Sequence, residues 1–285
     1  MYYGMIILSV CMFGGAFVLN RQYQRNSGNL LRASLTFTLI SASAGLLAML
    51  IINGFKVEFA PFTLLMSTLC SLNSITFTFC GLKAMGLINL SLYSLFAMLG
   101  GMALPFAAGI IFYNEPITAA KLICFIVICV ALALTVKMEG EKRKGTIYYA
   151  GIFVLNGMSG VLAKIFEATP VPKTNAASYS MLSAAISIAI SATLLLIIRK
   201  RYPNTLKPVS VAFGAGHGVI NQIANFILVL SLAHVDASVQ YPMVTGGVMI
   251  VSTLVCLFSP QKPSKRELIA VVVSFLGLLA LLLPF

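Results

Sequence analysis

Three polar residues recur at every fourth position in an otherwise apolar segment of the chain. The segment runs from Gly214 to His234 and carries His217, Asn221 and Asn225. Residues four apart share one face of an α-helix, so an imidazole and two carboxamides form a single stripe. Such a stripe is costly against lipid, which predicts that it faces other helices or water inside the protein. We interpret it as one wall of a solute pathway.

The composition predicts that the elements holding this stripe are membrane-spanning helices. The chain has 285 residues, of which 59% are hydrophobic and 9% charged, and its mean hydropathy is +0.98. A soluble domain would carry roughly a quarter charged residues. The sequence therefore predicts an all-α polytopic membrane protein with no separate soluble domain.

The charge and the cysteine positions limit the partners and ligands that the sequence predicts. The net charge is +12, but the basic residues lie in short connections between apolar runs, where they act as orientation signals and contact lipid headgroups. The sequence presents no basic surface for nucleic acid. The six cysteines all fall inside apolar runs without CxxC spacing, which argues against a zinc site or a disulfide framework. We expect no metal and no cofactor.

Ten apolar runs are each long enough to cross a hydrocarbon core of roughly 30 Å. Their predicted bounds are 3–20, 32–52, 62–82, 88–112, 117–136, 147–165, 178–198, 211–231, 236–258 and 267–284.

The chain also matches itself at a shift of 147 residues. This shift aligns the five apolar runs of each half without a gap and places Pro61 on Pro208 and Gly100 on Gly247. Because five spans is an odd number, the second half must enter the membrane from the opposite side, which predicts two inverted five-helix repeats. The predicted organisation is a first repeat at 1–136, a charged linker at 137–147 and a second repeat at 148–285.

In inverted repeats the solute site lies near the midplane, where the two repeats meet. The shift of 147 pairs Ser74 with Asn221 and Thr78 with Asn225, so the third predicted helix carries a matching stripe of smaller residues. Other polar residues inside predicted spans complete the set. The predicted substrate-binding residues are His217, Asn221, Asn225, Ser74, Thr78, Asn156, Tyr93, Gln240, Tyr241 and Lys164.

Each of these residues also has a structural interpretation. His217 could gate a proton or hold a carboxylate, or it could bond a neighbouring helix at the small-residue crossing marked by Gly214 and Gly218. Asn221 and Asn225 could bind solute or hold their helix against another. Tyr93 and Tyr241 could line a site for an amphipathic solute or anchor span ends at the membrane interface.

Two charged residues have similar alternatives. Lys164 is close enough to the end of its predicted helix to extend to the interface, or it could touch an anionic group of a substrate. Glu115 could carry a coupling proton, or it could pair with Lys121 at the junction between two helices. His217 and Glu115 are the candidates for proton coupling.

The distribution of Lys and Arg predicts an orientation. Fifteen of the 19 Lys and Arg residues lie in the connections that follow odd-numbered helices. By the positive-inside rule, both termini would face away from the cytoplasm.

Three short stretches of the chain resemble a known family. They are FGGAFVLNR (Phe13 to Arg21), IFYNEPITAAK (Ile111 to Lys121) and PMVTGG (Pro242 to Gly247). They resemble the drug/metabolite transporter superfamily in its ten-helix EamA-like branch. The chain departs from that pattern at Lys262, which stands where the second half would repeat Glu115, and at Cys124 and Cys129, which replace glycines.

The resemblance implies a secondary transporter of small metabolites, often amino acids or amphipathic drugs. It further implies outward transport by alternating access, with cytoplasmic termini, against the orientation that the loop charges favour. The expected partners are a small-molecule substrate and the lipid bilayer, with no nucleic acid, in a monomer or homodimer of the plasma membrane.

Two other functions compete with transport. A flippase for lipids or lipid-linked sugars would use the same fold. A membrane-embedded enzyme is the weakest alternative, because the chain has seven acidic residues and two histidines from which to build a reaction centre. The sequence has no GxxxxGK[ST] motif, which argues against ATP-driven transport by this chain alone.

Overall fold

The computed structural model describes residues 2–27, 31–85, 90–134, 146–198, 206–257 and 265–281, and these form ten helices. The helices are α1 (Tyr2–Ser27), α2 (Leu31–Ile52), α3 (Pro61–Met85), α4 (Leu90–Tyr113), α5 (Ala119–Leu134), α6 (Thr146–Ala168), α7 (Ala176–Ile198), α8 (Pro208–Leu232), α9 (Ala237–Leu257) and α10 (Lys265–Ala280). The predicted helical class is confirmed, and the helices whose starts follow described residues, α3, α5, α7, α8 and α9, begin within three residues of their predicted starts. Most of the predicted linker at 137–147 lies outside the described residues.

Seven of the described helices are long and apolar enough to cross a membrane, namely α1, α2, α4, α6, α7, α8 and α9. The apolar parts of α5 and α10 are shorter. Helix α3 has 25 residues and carries eight Ser, Thr and Asn residues among its apolar ones. The chain is therefore an all-helical, multi-pass membrane protein.

One helix in each half of the chain begins with a proline, and the 147-residue shift relates these two prolines. Pro61 is the first residue of α3 and Pro208 the first residue of α8. Proline favours this position because its fixed φ suits the first turn and its missing N–H would have had no partner there. Pro105 and Pro242 lie inside α4 and α9, where each removes one backbone hydrogen bond.

Eight helices form a closed circuit in which each packs against the next. The order of contact is α8, α1, α9, α4, α6, α3, α7, α2 and back to α8. Helices α5 and α10 pack on each other and against α9. The apolar core at that junction contains Met102 of α4, Cys124 and Ile128 of α5, and Met249 of α9.

Glycines allow two pairs of helices in the circuit to approach closely. A Cβ at Gly218 of α8 would lie 2.0 Å from the carbonyl oxygen of Ser41 in α2. A Cβ at Gly100 of α4 would likewise lie 2.0 Å from the carbonyl oxygen of Phe153 in α6. These two positions set the backbone separation of α8 from α2 and of α4 from α6.

Candidate functional site

The two sides of α3 differ sharply in polarity. One side presents Leu65, Leu69 and Leu72, each at least 42% exposed, as expected for a surface in contact with lipid. The opposite side packs against neighbouring helices through hydroxyl and amide groups, so α3 has an apolar outward face and a polar inward face.

Ser74 lies between two sets of hydrogen bonds on the inward face of α3. Ser67 and Ser71 donate to the carbonyl oxygens of Tyr179 and Ser183 in α7, at 3.2 and 2.8 Å. Asn73 donates to the carbonyl oxygen of Leu155 in α6 at 2.8 Å. The side chain of Ser74 lies between these two sets, nearly opposite Leu72, because two residues turn a helix by about 200°.

Ser74 is exposed although Ser71 and Asn73 beside it are buried. Thr68, Thr76 and Thr78 of the same helix satisfy their hydroxyls by donating to the carbonyl oxygen four residues earlier. The Ser74 hydroxyl makes no hydrogen bond to any residue that the structure describes, so it is available to a solute or to water.

Helix α8 repeats this arrangement. Gly214 and Gly218 face Ile40 and Ser41 of α2. On the other flank, the carbonyl oxygen of Ala224 accepts a hydrogen bond of 3.2 Å from Ser9 of α1.

The predicted stripe of His217 and Asn221 lies between these two contacts, since each residue advances the helix by about 100°. Val219 and the 36% exposed Leu230 lie on the other side of α8.

The two asparagines of the stripe differ in their hydrogen bonding. Asn225 donates through Nδ2 to the carbonyl oxygen of Asn221 at 2.8 Å, so its amide folds back on its own helix. The Asn221 side chain is half-buried and makes no hydrogen bond within the described part of the chain. Its carboxamide therefore offers both a donor and an acceptor to a solute.

His217 contacts α2 through one ring nitrogen. Its Nδ1 lies 3.3 Å from Ser41 Oγ, which itself donates to the carbonyl oxygen of Gly214 at 2.9 Å. Because the hydroxyl has one proton and gives it to Gly214, the geometry assigns the imidazole proton to Nδ1 and leaves Nε2 as an acceptor. The ring also packs against Phe37, with centroids 4.7 Å apart.

Three other predicted binding residues hold helices together. Gln240 is fully buried, donates to the carbonyl oxygen of Leu228 at 2.9 Å and accepts from Ser231 Oγ at 2.8 Å. Tyr241 donates its hydroxyl to the carbonyl oxygen of Gly160 at 3.0 Å. Asn156 donates to the carbonyl oxygen of Ala97 at 2.6 Å. The side chain of Tyr93 lies outside the described residues.

The expected pairing of Glu115 with Lys121 is wrong. The Lys164 Nζ lies 2.7 Å from Glu115 Oε1, while Lys121 Nζ lies 2.7 Å from Oδ2 of Asp236. Lys121 is near the start of α5 and also donates to the carbonyl oxygen of Pro116 at 2.9 Å, which turns its ammonium toward the α8–α9 connection. Lys164 is 8% exposed, and the Glu115 carboxylate balances its charge.

Glu115 also caps a helix from the other half of the chain. Its Oε1 accepts from the backbone N–H of Ala237 and its Oε2 from that of Ser238, each at 2.9 Å. These are the first N–H groups of α9, which have no partner within their own helix. Glu115 follows Asn114, whose φ of 50° turns the chain sharply after α4, and a Cβ at Gly109 would lie 2.5 Å from Oε2.

The surroundings of Glu115 determine its ionisation. Burial raises the pKa of this carboxyl, but the Lys164 ammonium and the N–H groups of Ser238 and Ala237 outweigh burial and hold the pKa below its ordinary value of 4.5. Glu115 is therefore ionised at neutral pH in this conformation. A coupling role for Glu115 requires a second conformation in which these partners are lost.

This lowered pKa predicts a pH dependence of stability. Because the folded state binds the proton less tightly than the unfolded state, Glu115 stabilises the fold above pH 4.5, and this contribution is lost as pH falls through the lowered pKa. The charged and titratable groups around it are Lys164, Tyr113, Lys121 and Asp236. We expect the thermal stability of Glu115→Gln in detergent to fall less between pH 6 and pH 3.5 than that of the wild type. Parallel curves for the two proteins would contradict this assignment.

Several of these contacts have no signal in the sequence. Ser41 lies 176 positions from His217 and Asp236 lies 115 positions from Lys121, so no local pattern predicts either pair. The described residues bring together no group of three metal-ligating side chains.

Comparison with known proteins identifies the fold alone. No protein-family model and no curated protein matches the chain. A solved crystal structure of a protein superposes on this chain with a TM-score of 0.74 at 17% sequence identity. The match covers 97% of this chain and 94% of the other. The fold is therefore shared with a solved structure.

Proposed function

We propose that the protein is a transporter that moves small solutes through a central pathway between two inverted five-helix repeats, with ten spans in all. The observation that carries the proposal is the pair Ser74 and Asn221, which are related by the 147-residue shift. Both occupy the inward face of a circuit helix, and both keep a polar group free of partners within the described chain. Both groups are accessible as well as unpartnered among the described residues, so a solute or water can lie beside them.

The order of helix contacts supports the repeat. Exchanging each helix with the one five positions later turns the contact of α1 with α8 into that of α6 with α3. It likewise turns α4 with α6 into α9 with α1, and α2 with α8 into α7 with α3. The contacts of α2 with α7, α4 with α9 and α5 with α10 map onto themselves, as a twofold axis requires.

The chemistry of the stripe suits a polar organic solute. Asn221 offers a donor and an acceptor, Ser74 a hydroxyl, and His217 Nε2 an acceptor on the same face as Asn221. Lys164 pairs with Glu115 in this conformation, so its charge is already balanced there. The resemblance to the ten-helix EamA-like branch favours metabolite or drug export, and the loop charges would place the end of the bundle that holds Glu115 away from the cytoplasm.

The proposal is tested by uptake into proteoliposomes of labelled amino acids, nucleosides, phosphorylated sugars and a cationic dye, with and without a pH gradient. We expect saturable uptake of one class. Asn221→Ala should lower its initial rate about tenfold, because the hydrogen-bonding group of a bound solute would then remain unpaired.

Thr76→Val is the matched control for this measurement. Thr76 is exposed on the apolar side of α3, and its hydroxyl bonds only to the carbonyl oxygen of Leu72 in its own helix. It should leave uptake within twofold of the wild type, a change that one exposed hydroxyl does not exceed. If folded protein carries none of the solutes but moves a fluorescent lipid, the proposal fails in favour of lipid flipping.

A further inference from the structure

The buried carboxylate of Glu115 joins three helices at one end of the bundle. We call this end, where the α4–α5 and α8–α9 connections meet, the Glu115 end. We propose that Glu115 is the latch of a gate that closes the solute pathway there. The inference rests on the proposed function, because it assigns a role to one mouth of that pathway.

The latch has three points of attachment. Glu115 belongs to the segment that follows α4, Lys164 to the last turns of α6, and Ala237 and Ser238 to the first turn of α9. The Lys164 ammonium also lies 5.4 Å from the ring centroid of Tyr113, which fixes it further. A single carboxylate thus holds the ends of α4, α6 and α9 together.

Packed side chains lie beside this latch. Leu232, Ala237 and Tyr241 form a buried cluster with Ala163, which joins α6, α8 and α9. A second cluster joins α3, α6, α7 and α8, and it consists of Met66, Leu162, Phe166, Ala176, Tyr179 and Val229. Helices on opposite sides of the circuit therefore meet at the Glu115 end, and the pathway is closed there.

Opening at this end must separate α9 from α6. The Tyr241 hydroxyl would leave the Gly160 carbonyl oxygen, and the Glu115 carboxylate would leave either Lys164 or the N–H groups of α9. Hydrogen bonds to a charged group are among the strongest in a protein, so breaking the contacts of the Glu115 carboxylate is the largest free-energy cost of opening. The carboxylate consequently sets the balance between the closed and open conformations.

The carboxylate is not repeated in the second half of the sequence. The 147-residue shift places Lys262 at the position equivalent to Glu115, and Lys262 lies outside the described residues. Opening at the Glu115 end and opening at the opposite end would respond differently to changes at residue 115.

The latch is tested by labelling a reporter cysteine from each side of the membrane. The protein carries Ser74→Cys in a background without its six native cysteines, and a membrane-impermeant maleimide is added to either face of sealed vesicles. Glu115→Gln removes the charge and keeps the size of the side chain. We expect labelling from the Glu115 end to rise about tenfold and labelling from the other end to fall, as alternating conformations require.

Gly109→Ala provides a second route to the same result. Its added Cβ would lie 2.5 Å from Glu115 Oε2 and displace the carboxylate without removing any charge. We expect labelling to shift in the same direction as in Glu115→Gln. Asp236→Asn is the control, because it breaks an ion pair at the same end whose carboxylate side chain is 41% exposed. It should change labelling by less than about twofold, since Asp236 is partly exposed and Lys121 keeps its hydrogen bond to the carbonyl oxygen of Pro116.

The labelling results distinguish an error in the proposed gate from an error in the proposed pathway. Labelling that rises from both ends together, or that Asp236→Asn shifts as much as Glu115→Gln does, overturns the latch. If the reporter is labelled from one end but its labelling does not change with substitutions at residue 115, the latch is wrong and the pathway is still supported. A reporter that is inert from both ends in every variant contradicts the pathway itself.

Discussion

Lys164→Met should lower the stability of the folded protein by about 3–5 kcal/mol, the usual cost of removing one partner from a buried ion pair. The ammonium lies 2.7 Å from the Glu115 carboxylate, and the two side chains are 10% and 5% exposed. Without Lys164 the carboxylate keeps its two backbone N–H donors but loses its counter-charge. Thermal unfolding of the purified protein in detergent at pH 7 measures the loss.

Two further variants show whether the loss comes from the unpaired charge. Lys164→Met combined with Glu115→Gln should recover more than half of the stability, because the neutral amide oxygen can still accept from Ala237. Lys121→Met should cost at most about 1 kcal/mol, since its partner Asp236 is partly exposed. Equal losses for Lys121→Met and Lys164→Met, or a double variant as unstable as the sum of the singles, would contradict this account.

Gly218→Ala and Gly100→Ala should each destabilise the protein by about 1–3 kcal/mol, the range expected for overpacking a tight contact. The new methyl group would meet a backbone carbonyl oxygen at 2.0 Å in both cases, and a backbone cannot move aside as a flexible side chain can. Helices α2 and α8, or α4 and α6, would have to separate. Unfolding temperature in detergent again provides the measurement.

Gly15→Ala is the matched control for both substitutions. It lies within α1, and a Cβ there meets nothing within 4 Å. Alanine also favours the helix over glycine, so we expect no loss of stability. A drop at Gly15 as large as that at Gly218 would show that α-helical glycines matter here for some reason other than close approach.

The helices of this protein could be predicted because hydropathy and proline placement are local properties. The start of α8 at Pro208 and the polar stripe from His217 to Asn225 both follow from the order of residues along one helix. The predicted repeat likewise requires only comparison of the chain with itself. Such features do not depend on which helices become neighbours.

The pairing of charged and polar residues could not be predicted, because it depends on that neighbourhood. Glu115 and Lys164 lie 49 positions apart and on different helices, whereas the expected partner Lys121 is nearer in sequence. Gln240 and Asn221 look alike as polar residues inside apolar helices. Gln240 donates to the carbonyl oxygen of Leu228, whereas the Asn221 side chain bonds to no described residue. This difference depends on how the helices pack.

In the function that we propose, the inward faces of α3 and α8 line a hydrated solute pathway. The most direct test compares four single-cysteine proteins, Ser74→Cys and Asn221→Cys on the inward faces and Leu72→Cys and Val219→Cys on the outward faces. We predict that an impermeant maleimide modifies the two inward cysteines in vesicles and leaves the two outward ones unmodified, because lipid excludes the charged reagent. Modification of the outward pair with protection of the inward pair would contradict the account.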